Sequence, residues 1–175
     1  MTDGAESEAW PIAELIETAR LRLEPLRVDD AAEMATVLDD ERLHEFTGGR
    51  PATAAELRSR YARLAAGRSP DGTQGWLNWV VRDRGSGVAL GTVQATLWRN
   101  GSLTAELAWV IAATYQGQGY AKEAAAGMVG WLLGHGVLGL VAHVHPDHVA
   151  SGRVARGLGL RPTEVIENGE VCWVR

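Results

Sequence analysis

The sequence has one cysteine, Cys172, one phenylalanine and one lysine, Lys122. A single cysteine excludes an internal disulfide, as is typical of proteins from reducing compartments. Arginine carries almost all of the basic charge, and the formal net charge of -5 excludes the basic footprint of a general nucleic-acid binder. The first residues also lack the basic start and apolar core of a secretory signal. We therefore expect a cytoplasmic protein with no nucleic-acid partner.

The sequence also has few long apolar segments without interruption. Residues 124–142, "AAAGMVGWLLGHGVLGLVA", are long enough to resemble a membrane span. His135 and five glycines interrupt the stretch, and "GHG" divides it into a helix followed by a strand. The pattern favours two buried elements of an α/β core and no membrane partner.

The length of 175 residues fits one domain. We predict a flexible tail over residues 1–15 and a folded domain over residues 16–175. The hydrophobic periodicity predicts the order β, α, α, β, β, β, α, β, α, β, β. A three-strand meander then precedes one βαβ crossover, so we expect an α/β fold whose mixed, mostly antiparallel sheet is flanked by helices.

Local signals set several of the predicted boundaries. Asp29 or Asp30 can cap the first helix, and Thr53 with Glu56 forms a capping box at the start of the second. "RNGS" at 99–102 and Asn168-Gly169 are typical of hairpin turns. Trp76 and Trp79 lie three apart in a predicted strand, so they face opposite sides, and one of them could line an acceptor groove.

The glycine-rich turn "QGQGYAK", residues 116–122, joins a predicted strand to a predicted helix. Free amide groups and the helix dipole make such a junction favourable for an anion. Glycine would let the backbone approach a phosphate or take a positive φ. The alternative is that Gly117 and Gly119 serve turn geometry alone, and neither the P-loop nor the dinucleotide-binding motif is present.

The turn and three longer segments together resemble the GNAT superfamily of N-acetyltransferases. "QGQGYA" matches its Q/R-x-x-G-x-G/A pattern through Gln116, Gly119 and Ala121. "ETARLRLEPLRVDDAAEM", "AELAWVIAATYQGQGYAKEA" and "HPDHVASGRVARGLGL" are similar to segments of the branch that acetylates ribosomal-protein N-termini, the RimJ/RimL-type branch. The four matches occur in the family's order, which makes the resemblance specific.

The resemblance implies that residues 16–175 form an N-acetyltransferase domain with acetyl-CoA as donor and a primary amine as acceptor. It places the pantetheine arm along Trp109, Val110 and Ile111. It assigns the pyrophosphate to the turn, namely Gln116, Gly117, Gln118, Gly119, Tyr120, Ala121 and Lys122. His148 stands where the family often has an asparagine near coenzyme A, and Ala155 stands where many members have a tyrosine acid.

Two residues are candidates for catalysis. Glu106 is the only charged residue in "LTAELAWVIA", and a carboxylate amid so much apolar surface is unfavourable unless it is paired or used. Burial would raise its pKa toward that of a general base, the role proposed for this position in the branch. Ser151 matches a serine that lies near the thioester sulfur in that branch. The alternatives are an acid paired with arginine at the rim of the sheet and a helix-capping serine.

"HVHPDH", residues 143–148, permits two interpretations. Three imidazoles and a carboxylate could bind zinc, as in a metal-dependent hydrolase. The family aligns here without a metal, so we expect none, with His148 contacting the donor and His143 or His145 as an auxiliary base. Acidic residues near the predicted pocket mouth could attract a cationic amine, unless they form an ordinary solvated loop; they are Asp39, Asp40, Glu41 and Glu45.

The acceptor remains open between a protein or peptide N-terminus and a small amine such as an antibiotic or polyamine. Cys172 is far in sequence from any base, so we expect direct attack in a ternary complex without an acetyl-enzyme. A CoA-binding module without activity is the alternative from another class, favoured by His148 and Ala155. Either a monomer or a homodimer is compatible with the sequence.

Overall fold

The structure of the protein is a computed structural model that describes residues 9–175. Its eight strands form one sheet in the spatial order β1-β2-β3-β4-β5-β6-β8-β7. They are β1 (Ile16–Glu17), β2 (Leu21–Pro25), β3 (Gly75–Asp83), β4 (Ala89–Asn100), β5 (Ser102–Ile111), β6 (Gly139–Val144), β7 (Arg161–Glu167) and β8 (Glu170–Val174). The β5–β6 pair is parallel and the other pairs are antiparallel.

Four α-helices accompany the sheet in the described residues: α1 (Ala31–Val37), α2 (Ala54–Leu64), α3 (Tyr120–Gly134) and α4 (Val149–Gly157). The helix α3 makes the crossover between the parallel strands β5 and β6. The predicted fold class is therefore confirmed, including the meander β3-β4-β5 and the single βαβ unit. The pattern missed the two-residue strand β1 and three short 3-10 helices, because such short elements carry no hydrophobic period.

The predicted cap of the second helix and the two hairpin turns are confirmed, whereas the predicted side-chain cap of the first helix is not: Asp30 makes no cap bond to α1, and its carboxylate accepts a hydrogen bond from the Arg27 amide. The side chain of Thr53 accepts a hydrogen bond from the Glu56 amide, and the Glu56 carboxylate accepts one from the Thr53 amide. Gly101 turns the β4–β5 hairpin with φ of 73°, while Asn168 and Gly169 turn the last hairpin with φ of 51° and 85°. Two successive positive φ values are those of a type I′ turn, which matches the twist of paired strands.

The two faces of the sheet are covered differently. The larger core lies on the side of α3 and α4, where alternate residues of the central strands are buried, among them Leu77, Trp79, Leu97 and Leu107. A smaller core under α1 and α2 joins Met34, Leu57 and Tyr61 to Val80 of β3. Trp79 is fully buried in the larger core, and Trp76 lies on the opposite face, as the three-residue spacing predicts.

The segment before β1 packs against the sheet. The Trp10 indole donates a hydrogen bond of 3.1 Å to the Gly72 carbonyl, and a Cβ on Gly75 would lie 2.9 Å from that ring. Gly75 therefore makes room for Trp10. Residues 1–8 lie outside the described part, and the predicted tail boundary at residue 15 stays a prediction. Within residues 9–175 no helix is long and apolar enough to cross a membrane.

Candidate active site

An opening forms in the sheet where β5 and β6 separate. The two strands pair at three positions, and the last pair is Glu106 with Val141. Beyond it, β5 continues to Ile111 with pairing to β4 alone. Trp109, Val110 and Ile111 consequently lie along a strand edge whose backbone groups on the β6 side have no strand partner among residues 9–175. A strand edge of this kind can pair with an extended polar ligand.

The glycine turn closes this opening at the end of β5. Gly117 and Gly119 have φ of 77° and 81°, a conformation that residues with side chains rarely adopt. Gly119 precedes the first residue of α3 and supplies no side-chain cap. The first amide groups of the helix, from Tyr120 through Ala121 to Lys122, are thus open to an external acceptor. Gly117 and Gly119 therefore allow the turn to form and also leave the first amides of the helix accessible to an anion.

Three side chains of the glycine-rich turn, residues 116–122, make defined contacts. The Gln116 amide donates to the Ile111 carbonyl at 2.9 Å, so it fastens the turn to the end of β5. Lys122 is exposed, and its side-chain stem lies within 3.3 Å of the Cβ position of Gly157 in α4. The ring of Tyr120 lies under the Arg20 guanidinium, 4.5 Å from it.

Arg20 is a residue of this region that the sequence did not reveal. Its Nη1 donates to the Gln118 carbonyl at 3.0 Å, and its Nε donates to the Glu123 carboxylate at 2.6 Å. Partial burial alone would raise the pKa of Glu123, but hydrogen bonds from Thr18 and Arg20 together lower it. The turn is thereby braced by a cation from the bend between β1 and β2, 98 residues away from Gln118.

Glu106 lies on the face of β5 that α3 does not cover. A hydrogen bond of 2.8 Å joins His143 Nδ1 to Glu106 Oε1, and because a carboxylate only accepts, the imidazole is the donor. His143 Nε2 lies 3.4 Å from Glu167 Oε2 in β7, so the ring stands between two carboxylates. The Glu106 side chain is 45% exposed, so the expectation that it is buried was wrong. The apolar residues around it in sequence point to the other face.

Cys172 is close to this cluster in space. It lies in register opposite His143, on the neighbouring strand β8. Burial raises the pKa of the Cys172 thiol, and the Glu167 and Glu106 carboxylates raise it further. The large separation in sequence between Cys172 and any base therefore does not exclude a nucleophilic cysteine. The physical reason against it is that the thiolate is disfavoured at this place.

His148 and Ser151 meet at the start of α4. The His148 imidazole caps the helix by accepting a hydrogen bond of 3.4 Å from the Ser151 amide. Its ring also stacks on Phe46 at 4.4 Å. Burial lowers the pKa of His148, and the Glu45 carboxylate opposes this effect only in part. Ala155 is fully buried, so the position of the family's tyrosine offers no room for a phenol.

The remaining candidates are more dispersed than the sequence suggested. His143 turns to Glu106 and Glu167, whereas the His145 ring packs 5.3 Å from Phe46. In residues 9–175 no three such side chains are grouped so that they could hold a metal ion. Asp39 and Asp40 line a cavity of 260 Å³ beside residues 112–115, at the end of β5. Asp40 is paired with Arg42 at 2.6 Å, which offsets one of the four negative charges of the expected acidic rim.

The chain belongs to the GNAT acetyltransferase family. The sequence model of the acetyltransferase (GNAT) domain matches residues 20–161, most of the chain. As a member of that family the protein is an N-acetyltransferase that takes its acetyl group from acetyl-CoA. The comparison with curated proteins finds no significant match.

Solved acetyltransferases have the same fold. The ribosomal-protein-S5-alanine acetyltransferase of Vibrio fischeri has a TM-score of 0.74 at 17% identity, covering 93% of this chain and 96% of its own. RimL, a ribosomal L7/L12 α-N-protein acetyltransferase solved with coenzyme A, has a TM-score of 0.71 at 14% identity, with coverage of 93% and 97%. The microcin C7 self-immunity acetyltransferase MccE, solved with acetyl-CoA and AMP, has a TM-score of 0.72 at 13% identity, with coverage of 90% and 93%.

We expect Arg20→Ala to weaken acetyl-CoA binding about tenfold, because it removes both the brace on Gln118 and a cation beside the turn. Calorimetric titration with acetyl-CoA measures the change. Arg84→Ala is the matched control, since this arginine donates to the Thr18 carbonyl in the same β1–β2 connection and makes no hydrogen bond to residues 116–122. Equal affinities for the two variants would remove Arg20 from the donor site.

Proposed function

We propose that this acetyltransferase acts on the α-amino group of a protein or peptide by direct attack on acetyl-CoA in a ternary complex. The observation that carries the proposal is the Glu106 carboxylate, held at 2.8 Å by His143 beside the opening between β5 and β6. The donor would lie along Trp109–Ile111 with its pyrophosphate on residues 116–122. An amine that enters from the exposed face of β5 would then meet Glu106.

Glu106 is the proposed general base. A half-exposed carboxylate suits an acceptor that loses its proton easily. An α-amine has an unperturbed pKa of about 7.7 to 8, against about 10.4 for lysine, so its deprotonation demands less of the base. The partially protonated amine is also attracted by the two negative groups on this face, Glu106 and Glu167.

The other two tasks of the reaction are assigned to different groups. Attack of the amine nitrogen on the thioester carbon forms the C–N bond and breaks the C–S bond, releasing the coenzyme A thiolate. Ser151, in the first turn of α4, is the proposed proton donor to that sulfur. Backbone amides on the free edge of β5 are the proposed donors to the carbonyl oxygen as it becomes an oxyanion. The raised pKa of Cys172 supports direct attack over an acetyl-cysteine.

The assignment is tested by a screen in which the protein and acetyl-CoA are mixed with short peptides, polyamines and aminoglycosides. Release of coenzyme A thiol is followed, and the acetylated product is identified by mass. We expect peptides with a free α-amine to be acetylated and the same peptides with a blocked α-amine to be inert. Turnover of small amines alone would assign the protein to small-molecule acetylation. Tight acetyl-CoA binding without turnover of any amine would indicate a CoA-binding module without catalytic activity.

His143 is a positioning residue in this proposal. We expect His143→Ala to lower kcat about tenfold while the KM for acetyl-CoA stays constant, since the hydrogen bond orients Glu106 and does not contact the donor. His143→Gln retains an N–H donor and should recover part of the loss. Rates per folded molecule are the measurement.

His135→Ala is the control for His143, because that imidazole stacks on Trp131 at 3.7 Å on the other side of the sheet. It should leave kcat unchanged even where stability falls. If His143→Gln is no better than His143→Ala, the hydrogen bond to Glu106 has no part in turnover.

A further inference from the structure

A cavity of 740 Å³ lies against β3, beside the carboxyl end of α2. Its walls are polar and apolar in about equal parts: Arg68 and Asp71 line it together with an apolar portion formed by the indoles of Trp10 and Trp76 and the side chains of Leu26 and Leu64. This volume falls within the range of about 300 to 1,000 Å³ that is typical of pockets for small ligands. The mechanism proposed above makes no use of it.

Asn78 is the polar group buried in this wall. The residue is only 9% exposed and lines the cavity, and its side-chain amide is accessible from the cavity. An amide in the wall of a cavity can exchange its hydrogen bonds with water for hydrogen bonds with a ligand. A ligand in the cavity that carries its own hydrogen-bonding groups would supply the partner.

The strand register places the cavity relative to Glu106. Trp76 is opposite Thr96 of β4, and Thr96 is opposite Glu106 of β5, so the three lie in one row on one face. Two strand spacings of about 4.8 Å separate Trp76 from Glu106 by roughly 10 Å. Thr96, which lies between them on β4, is partly exposed, and Gln94 in the adjacent row of the same face is exposed. The face of the sheet between the Glu106 carboxylate and the cavity is therefore accessible to an acceptor.

We propose that the cavity binds a large apolar side chain of the acceptor, three residues into a peptide whose α-amine lies at Glu106. The proposal rests on the peptide-amine function put forward above. An extended chain spans about 3.3 to 3.6 Å per residue, so its third residue reaches roughly 10 Å from the amine. Side chains of the first and third residues share one face of such a chain. Asn78 then pairs with the peptide backbone beside that third side chain.

Binding of three tripeptide amides to the protein saturated with coenzyme A tests the proposal. The probes are Gly-Gly-Leu-amide, Gly-Leu-Gly-amide and Gly-Gly-Gly-amide, titrated calorimetrically. We expect Gly-Gly-Leu-amide to bind at least tenfold more tightly than the other two. Equal affinities, or no measurable binding of any of the three, would overturn the cavity as a side-chain site.

Variants locate the preference in the molecule. Trp76→Ala should reduce the affinity ratio of Gly-Gly-Leu-amide to Gly-Gly-Gly-amide below threefold, and Asn78→Ala should weaken Gly-Gly-Leu-amide about tenfold. Trp131→Ala, which removes an indole from α3 on the opposite face, should keep the wild-type ratio. The ratio is independent of the folded fraction, so partial unfolding does not imitate the result. An unchanged ratio in Trp76→Ala would also overturn the assignment.

Turnover of the same peptides separates this inference from the function on which it rests. Preferential binding without acetylation would retain the cavity and overturn the peptide-acceptor function. Acetylation of all three peptides with equal affinity would retain the function and overturn the cavity.

Discussion

Glu106→Gln is expected to lower kcat at least 100-fold while the affinity for acetyl-CoA stays within twofold of the wild-type value. The amide is almost the same size as the carboxylate and can accept the hydrogen bond from His143, but it cannot take a proton from the amine. General-base catalysis contributes about 100-fold to 10,000-fold, which sets the scale of the loss. Stopped assays with a saturating peptide acceptor measure kcat, and calorimetry measures donor affinity.

The pH dependence of Glu106→Gln adds a second readout. Without the base, only the fraction of acceptor that is already neutral reacts, so the residual rate should rise with pH up to the pKa of the amine. Glu164→Gln is the matched control, because this glutamate is exposed on β7 and removes the same charge from the neighbouring hairpin. A Glu106→Gln enzyme with wild-type kcat would assign proton removal to another group or to water.

Gly119→Asp is expected to weaken acetyl-CoA binding more than tenfold. A side chain is unfavourable at φ of 81°, and the new carboxylate would repel the pyrophosphate at the start of α3. The Cβ position lies 3.5 Å from Arg20 Nη2, so the aspartate would also draw the guanidinium into an ion pair away from the ligand. Calorimetric titration of the folded variant with acetyl-CoA is the measurement.

Two further variants divide the effect of Gly119→Asp. Gly101→Asp introduces the same charge at φ of 73° in the β4–β5 turn, where nothing lies within 4 Å of the Cβ position. Gly101→Asp reproduces the backbone strain far from residues 116–122, so this variant should bind acetyl-CoA with wild-type affinity. Gly119→Ala introduces strain without charge and should fall between the wild type and Gly119→Asp. Undiminished affinity in a folded Gly119→Asp protein would mean that residues 116–122 are a turn without a ligand.

The fold was largely predictable because its signals are local. The alternation of apolar residues in β3, β4 and β5, the Thr53–Glu56 capping box and the Asn168-Gly169 turn each act within a few residues. Each reflects a backbone requirement that the neighbouring side chains meet by themselves. The glycine turn belongs to the same class, since positive φ at Gly117 and Gly119 is a local requirement.

The proposed site depended on longer distances. The Arg20 brace on Gln118 links residues 98 apart, and the His143–Glu106 hydrogen bond links residues 37 apart. Sequence spacing does not reveal such pairs, because the strand order and register of the folded sheet bring the two residues together. The error about the burial of Glu106 has the same origin: alternation showed which residues share its face, but not that the face stays uncovered.

The sequence by itself determined the α-helices and the longer strands, their order and the family, because propensity, capping, turn chemistry and motif spacing act along the chain. The tertiary structure alone decided which carboxylates flank His143, where Cys172 lies and that Trp76 faces a cavity in the row of Glu106. Those facts arise from the pairing of distant strands, where each neighbour is set by the packing of the whole sheet.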